Sequence, residues 1–409
     1  MSSNSNRKNI YCVMDIGSSS VKTVIAQKKQ LDWDILGFGM HHTEGMKKGT
    51  ILDIDKVSRG VQLSFDEAKL AAEYDPQFIS ASISGVHTEL LDTIGIAPIK
   101  QGKVSQQDIL QAQEACKAIP LPEGHRILHS FYQTYAIDHL QGIIDPLNMS
   151  GIRLEVHAKL ITASTHSVRN ILQILSLQGA QAQHLVLDGL AGALSVMLPD
   201  EKELGIAVID IGAGTTKMTI FHQNKLIFTK TIPYGSDSIT SDIALALRTP
   251  ISAAETIKLR HGSVYLSSNQ NQHHHNLNIP AVGQKKPQQI NRQDLINIIS
   301  PRVEEILQIL LADIQNTGYD HLFPCGVILI GGGAKLENLA SLVENIFNVP
   351  VRIGIPLFSQ KFNEALDSPL CATVMGLLEW SYNFDSQIKR NEPKDWGLFW
   401  NRIRNWLTG

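Results

Sequence analysis

The sequence predicts an α/β fold of two pseudo-repeated α/β halves, with an inserted subdomain in each, followed by a C-terminal amphipathic helix. Three observations predict it. The motif Asp15-Ile16-Gly17-Ser18-Ser19-Ser20-Val21-Lys22 recurs as Asp210-Ile211-Gly212-Ala213-Gly214-Thr215-Thr216-Lys217. Strand-like and helix-like apolar periods alternate along both halves. A chain of 409 residues is also too long for one ordinary core, so two domains or two halves are the natural expectation.

Each copy of the motif lies between apolar runs, 10–14 and 21–26 for the first, 206–209 and 218–221 for the second, and so reads as strand, tight turn, strand. Small residues in the turn let backbone N–H groups approach an anion. The acid ending each entering strand, Asp15 or Asp210, is placed to orient a hydrated Mg2+ that bridges phosphates. For one hairpin alone a plain β-turn is the alternative. The repeat of acid, small-residue loop, hydroxyls and lysine disfavours it.

The first half, residues 1–86, continues with a strand at 34–39, a helix at 55–74 through Val57, Val61, Leu63, Ala68 and Leu70, and a strand at 79–84. Residues 87–161 read as an inserted subdomain, with a helix at 105–118 and strand-like segments at 127–137 and 152–161. Residues 162–200 resume the half with a helix at 165–178, a strand at 184–187 and a further helical stretch at 191–198. The second half opens at 201–249, carries an insertion at 250–319, and continues over 320–370. Residues 371–384 return to the first half. Within the second insertion, His273, His274 and His275 sit in a Gln/Asn-rich stretch. A metal site is one reading, but adjacent loop residues do not converge on one ion, and a solvated loop is preferred. A long helix at 292–315 is interrupted by Pro301, where Ser300 suits the cap of a second helix. The strand 327–330, then Gly331-Gly332-Gly333-Ala334-Lys335 and a helix through Leu336, Leu339, Leu342, Val343 and Ile346, form a turn that admits a flat ring or a phosphate. An ordinary strand-to-helix turn is its alternative.

Residues 385–393 are polar and read as a linker. Beyond them, over 394–409, Trp396, Phe399, Trp400, Ile403, Trp406 and Leu407 recur at helical spacing, with Asn401, Arg402, Arg404 and Asn405 largely on other faces. Such a helix suits insertion at a bilayer interface, making membrane lipids a partner; docking on the protein's own core is the alternative. One short helix binds reversibly, and stable attachment needs several acting together.

Composition excludes other classes. At 43% hydrophobic and 18% charged the chain is globular rather than disordered. A net charge of −3 with no Lys/Arg run offers no field for DNA or RNA, so no nucleic-acid partner is expected. Cys12, Cys116, Cys325 and Cys371 lack the close spacing of zinc or redox pairs and read as buried thiols of a reducing cytoplasm. The polar N-terminal residues have no apolar signal-peptide core, and no segment reaches the ~20 apolar residues that span a bilayer.

Three glycine-rich elements in this order, with an insertion in each half, resemble the actin, Hsp70 and sugar-kinase superfamily, whose halves close around ATP. With Gln133-Thr134-Tyr135-Ala136-Ile137-Asp138, Leu147-Asn148-Met149-Ser150-Gly151-Ile152-Arg153-Leu154, Ser241-Asp242-Ile243-Ala244, Ala254-Glu255-Thr256-Ile257-Lys258 and the amphipathic tail, the chain resembles the FtsA family of bacterial cell-division proteins. The resemblance implies an actin-like ATPase fold with ATP and Mg2+ as cofactors. It implies a first phosphate loop of Asp15, Gly17, Ser18, Ser19, Ser20 and Lys22 and a second of Asp210, Gly212, Gly214, Thr215 and Thr216. The nucleoside would meet Gly331, Gly332, Gly333 and Lys335, with Glu255 and Lys258 near adenine and ribose.

By the same resemblance the chain is a polymerising protein of the cytoplasmic face of the inner membrane, anchoring FtsZ filaments at the division septum. The first insertion would make protofilament contacts with further copies of the chain. The second would receive the FtsZ C-terminal peptide, with Arg302 and Glu305 as candidates, a solvated i, i+3 pair being the alternative. Other divisome proteins would be further partners. An actin-like ATPase needs a side chain that positions the attacking water. By position this is Asp188 in the loop 187–191, although capping of the helix beginning near Leu190 is the preferred role. Slow or absent turnover is therefore expected. A PilM-like assembly adaptor and a small-molecule kinase of the same superfamily are the competing functions; the tail counts against both.

Overall fold

The computed structural model describes residues 9–29, 32–266, 277–282, 288–357 and 365–391. The tract His273 to His275 and the tail residues Trp396, Phe399, Trp400, Ile403, Trp406 and Leu407 lie outside the described residues.

Both motif copies open sheets of the same strand order. The first half begins with β1 (Ile10–Ile16), β2 (Ser20–Lys29) and β3 (Asp32–His42), an antiparallel set, followed by a small hairpin of β4 (Met46–Lys47) and β5 (Thr50–Ile51). Then come α1 (Ile54–Ala72) and β6 (Phe78–Ile83). Asp53 caps α1 by accepting from Lys56 N at 3.1 Å, and Val57, Val61, Phe65 and Ala68 form its buried stripe. Each such side chain, fully buried, contributes roughly 1.5–3 kcal/mol, less for alanine.

The first insertion is a sheet of its own. β7 (Glu89–Pro98), α2 (Gln106–Lys117), β8 (His125–Ile137), β9 (Leu140–Ile143) and β10 (Arg153–Ser164) give the antiparallel order β7-β10-β8-β9, with α2 packed on one face. β7 is an additional strand: its alternation of buried Thr93, Gly95 and Ala97 with exposed Ile94 and Ile96 puts aliphatics outward and small residues inward, which inverts the usual pattern. The half resumes with α3 (Thr165–Leu177), β11 (Gln181–Leu187), α4 (Asp188–Val196) and the short α5 (Pro199–Leu204). Its sheet runs β3-β2-β1-β6-β11, with β6 parallel to β1 and β11 parallel to β6.

In the second half β12 (Ile206–Ile211), β13 (Thr216–His222) and β14 (Lys225–Ile232) are again antiparallel. After α6 (Ser236–Leu247), α7 (Ile251–His261), β15 (Leu277–Ile279), β16 (Gln288–Ile290) and α8 (Arg292–Thr317), β17 (Val327–Ile330) joins parallel to β12. A 3-10 turn at Gly332–Lys335, α9 (Leu339–Phe347) and β18 (Val351–Ile353) complete the order β14-β13-β12-β17-β18. Central strands β1 and β12 are almost wholly buried, and therefore read as continuous apolar runs rather than alternating ones. A second 3-10 turn, Pro369–Cys371, leads into α10 (Ala372–Asn391). Its residues Val374, Met375, Leu377 and Leu378 are fully buried against the first half.

Three local expectations are corrected. α8 is one helix through Pro301, and Ser300 lies within it, its Oγ donating to Val264 O at 2.5 Å. Burial of Leu295, Ile296 and Ile299 before the proline and Val303, Ile306, Leu307, Leu310 and Ile314 after it outweighs the ~3 kcal/mol cost of an interior proline. The glycines after β17 form a 3-10 turn, so the following helix starts only at Leu339. Finally, α10 extends to Asn391, so most of the polar stretch at 385–393 is helical rather than a linker.

Candidate functional site

The two hairpins repeat one geometry. Gly17 N donates to Ser20 O at 3.1 Å, and Gly212 N to Thr215 O at 2.9 Å, closing equivalent turns. That closure fixes the strand register so that Asp15 faces Lys22 and Asp210 faces Lys217. Lys22 Nζ then lies 3.1 Å from Asp15 Oδ2, and Lys217 Nζ 2.9 Å from Asp210 Oδ2. Ser82 Oγ on β6 donates to Asp15 Oδ1 at 2.9 Å, fixing that carboxylate from the neighbouring strand.

The two turns face each other across the halves. A Cβ on Gly214 would lie 2.6 Å from Ser18 Oγ and 3.0 Å from Lys48 N, so a side chain there would displace the Ser18 hydroxyl of the first turn. Between them opens a cleft of about 490 Å³. From the first hairpin Asp15, Gly17, Ser18, Ser19, Ser20 and Lys22 line it, and from the second Asp210, Gly212, Gly214 and Thr215. Glu255, Lys258, Gly331, Gly332, Gly333 and Lys335 line it as well. Gly331 has φ +83°, and a Cβ there would lie 2.3 Å from Asp210 Oδ1. The glycine turn is thus seated directly on the acid of the second hairpin.

One wall is aliphatic, formed by Ile239, Leu259, Val303, Ile306, Leu336 and Leu339. It offers a flat ring dispersion and burial. Beside it Lys258 Nζ donates to Thr240 Oγ1 at 2.8 Å and Ser236 O at 3.1 Å, and pairs with Glu255 at 2.7 Å. These contacts tie α7 to the start of α6.

Thr216 is not among the cleft-lining residues. It is fully buried and its Oγ1 donates to Tyr234 O at 2.8 Å, because strand alternation turns residue 216 away and residue 217 inward. Lys217 is the residue that reasoning from the motif left out of the site. Its signal was in the repeat itself, at the same offset from its acid as Lys22.

Asp188 opens α4 as its first helical residue, while Leu187 occupies the cap position and supplies no side-chain cap. Asp188 Oδ1 accepts from Gly189 N at 2.8 Å, and Oδ2 lies 2.9 Å from Lys217 Nζ. One carboxylate oxygen thus takes an orphan amide of its own helix, and the other an ammonium from the other half. Burial opposes the charge on Lys217, but Asp188 and Asp210 outweigh it and hold the ammonium well above the usual lysine range. Ser84, Asp237 and Thr373 also line the cleft. Among the described residues no group of three or more His, Cys, Asp or Glu converges to ligate a metal ion directly.

Arg302 and Glu305 lie outside the cleft lining. Arg302 Nε is 2.6 Å from Asp242 Oδ2 and its Nη2 3.2 Å from Oδ1, a bidentate tie from α8 to α6, and the guanidinium also pairs with Glu305. The pair is thus part of a three-residue ion cluster. Among the described residues no helix is long and apolar enough to cross a membrane.

The family described as "Cell division protein FtsA" matches residues 207–376, and that described as "SHS2 domain inserted in FTSA" matches residues 85–162. The chain is 32% identical over 407 residues to cell division protein FtsA of Pseudomonas aeruginosa, covering 97% of each. It is 32% identical over 406 residues to that of Escherichia coli K12, covering 96% of each, and 29% identical over 378 residues to that of Bacillus subtilis, covering 92% of this chain and 84% of the relative. Among solved structures, a chain of a PilM-PilN type IV pilus biogenesis complex aligns with TM-score 0.65 at 19% identity, covering 90% of this chain and 98% of that one. MreB5 of Spiroplasma citri bound to AMPPNP aligns with TM-score 0.57 at 13% identity, covering 94% and 100%. At those identities the structures establish the shared fold, that of the actin-like ATPases.

Proposed function

We propose that this chain, which belongs to the FtsA family of cell-division proteins, is an ATP-dependent, polymerising adaptor that ties FtsZ filaments to the cytoplasmic face of the inner membrane at the septum. Its role is that of an actin-like cell-division protein. The observation carrying the nucleotide part is the pair of equivalent hairpins facing one cleft, beside an aliphatic wall and a glycine turn. Backbone amides of the two turns would hold the phosphates, and the aliphatic wall the base.

Charge balance supports a divalent cation with the nucleotide. The cleft is lined by Asp15, Asp188, Asp210, Asp237 and Glu255 against Lys22, Lys217, Lys258 and Lys335, one carboxylate in excess. An entering polyphosphate adds negative charge, which Mg2+ would neutralise by bridging phosphate oxygens. Asp15 and Asp210 each already accept from a lysine, and fit as acceptors from the ion's waters rather than as direct ligands. Asp188, bound to Lys217 and Gly189, is poorly disposed to activate water, in keeping with slow or absent turnover.

The cluster of Asp242, Arg302 and Glu305 on α6 and α8 is the proposed receiving surface for the FtsZ C-terminal peptide. Self-association through the first insertion, and contacts with other divisome proteins, belong to the same reading. The membrane contact falls to the C-terminal segment, as its tryptophan spacing suggests. Co-flotation tests the assembly: with phosphatidylglycerol-containing vesicles, ATP and Mg2+, the full chain should carry FtsZ to the top, and a chain ending at Asn391 should not. Equal flotation of both chains would sink the membrane tether. Flotation of the full chain without FtsZ would sink the FtsZ link.

A further inference from the structure

Lys217 belongs to the second hairpin, yet its ammonium is held by both halves. Nζ lies 2.9 Å from Asp210 Oδ2 on β12 and 2.9 Å from Asp188 Oδ2 on α4. Lys22, its counterpart in the first hairpin, pairs with Asp15 alone among the described residues. The two lysines therefore share a position in the repeat but not an environment.

Resting on the nucleotide site proposed above, we propose that Lys217 is the residue that counts phosphates: its ammonium contacts the terminal phosphate of a nucleoside triphosphate and is out of reach of a diphosphate. Three observations place it there. The ammonium lies under the second turn, 3.7 Å from where a Cβ on Gly212 would stand, and opens into the same cleft as both turns. The aliphatic wall comes entirely from the second half, whereas the Lys217–Asp188 pair sits at the junction with the first. A nucleotide with its base on that wall and its phosphates between the turns therefore ends at the junction. An ammonium also has three N–H donors, and the two carboxylates engage two of them. The third is available to a phosphate oxygen, while Asp188 and Asp210 keep the group from rotating away. Lys335, also on the lining, is solvent-exposed and lies in the glycine turn, so it answers to the nucleoside side of the cleft.

Fluorescence titration with AMPPNP and with ADP, both with Mg2+, tests this. Lys217→Met should weaken AMPPNP by about tenfold or more, the loss of one charge-assisted hydrogen bond, and ADP by less than about threefold. Lys217→Arg, which keeps the charge and donors, should restore most of the preference. An equal loss for both nucleotides, or no loss, would overturn the assignment. If the wild-type chain binds neither nucleotide, the cleft is not a nucleotide site and the assignment falls with it. Should Lys217→Met fail to fold because two carboxylates are left without their cation, Lys217→Met/Asp188→Asn removes one of them and is read by the same two affinities.

Discussion

Substituting Gly331 by alanine should damage stability and the cleft together, and the size of the effect can be worked from the turn. Its backbone, at φ +83° and ψ 174°, occupies a region open to glycine and costing other residues about 1–3 kcal/mol. The new Cβ would stand 2.3 Å from Asp210 Oδ1 and 2.6 Å from Ile211 O. Contacts that short force a shift of carboxylate or backbone, and overpacking of this kind costs another 1–3 kcal/mol or so. Gly331→Ala is therefore expected to lose about 3 kcal/mol, and to lose nucleotide affinity because Asp210 is pushed off Lys217. Gly332→Ala is the control, since its Cβ would first meet Leu370 Cδ2 at 3.7 Å, an ordinary contact. Its stability should stay within about 0.5 kcal/mol of wild type. Urea unfolding followed by circular dichroism gives both midpoints, and nucleotide titration gives the affinities. Equal stability for the two variants would refute the seating of the glycine turn on Asp210.

Two further outcomes follow from buried and half-buried charge. Burial, with His184 adding to it, pushes His129 down to about 3, and its ring accepts from Leu187 N at 3.2 Å, just before Asp188. The unfolded chain then binds the extra proton below its ordinary value, so this contribution is complete above about pH 6.5 and falls as pH drops toward 3. From about pH 7 to pH 5 the loss is about 2 kcal/mol, and His129→Gln should show that much less acid sensitivity in urea midpoints; an unchanged profile would exclude a neutral buried ring. At the ion cluster, a double-mutant cycle of Arg302→Ala and Asp242→Ala should give a coupling of about 1 kcal/mol that shrinks in about 1 M NaCl, since both side chains are roughly a quarter exposed. A coupling near zero would mean the bidentate pair adds nothing to the α6–α8 contact.

How much of this was legible in the chain depends on where each residue's partner lies. Asp15 and Lys22, or Asp210 and Lys217, meet within one hairpin, and turn residues set their register, so two equivalent acid–lysine hairpins can be read from spacing alone. The repeated strand order starts from the same local pattern: each hairpin is extended beyond its first strand by parallel strands, and the helices that connect them cover the faces of the sheet. Where the partner comes from elsewhere, local rules mislead. Pro301 looks like a break because helix propensity is local, while the stripe that keeps α8 whole is buried against the rest of the second half. Asp188 looks like a cap because it stands at a helix start, while its strongest partner is an ammonium from the other half of the chain. Arg302 looks like a solvated i, i+3 pair because Glu305 is the neighbour visible in sequence, while Asp242 on α6 takes both ends of its guanidinium. In the last two cases the missed contact is an ion pair between elements the sequence keeps apart, and in each the near neighbour is also a true contact. Sequence spacing thus identifies the acids of the two hairpins and Lys22, while the fold adds Lys217 and Asp237 to the cleft and decides which of several available partners holds each charge.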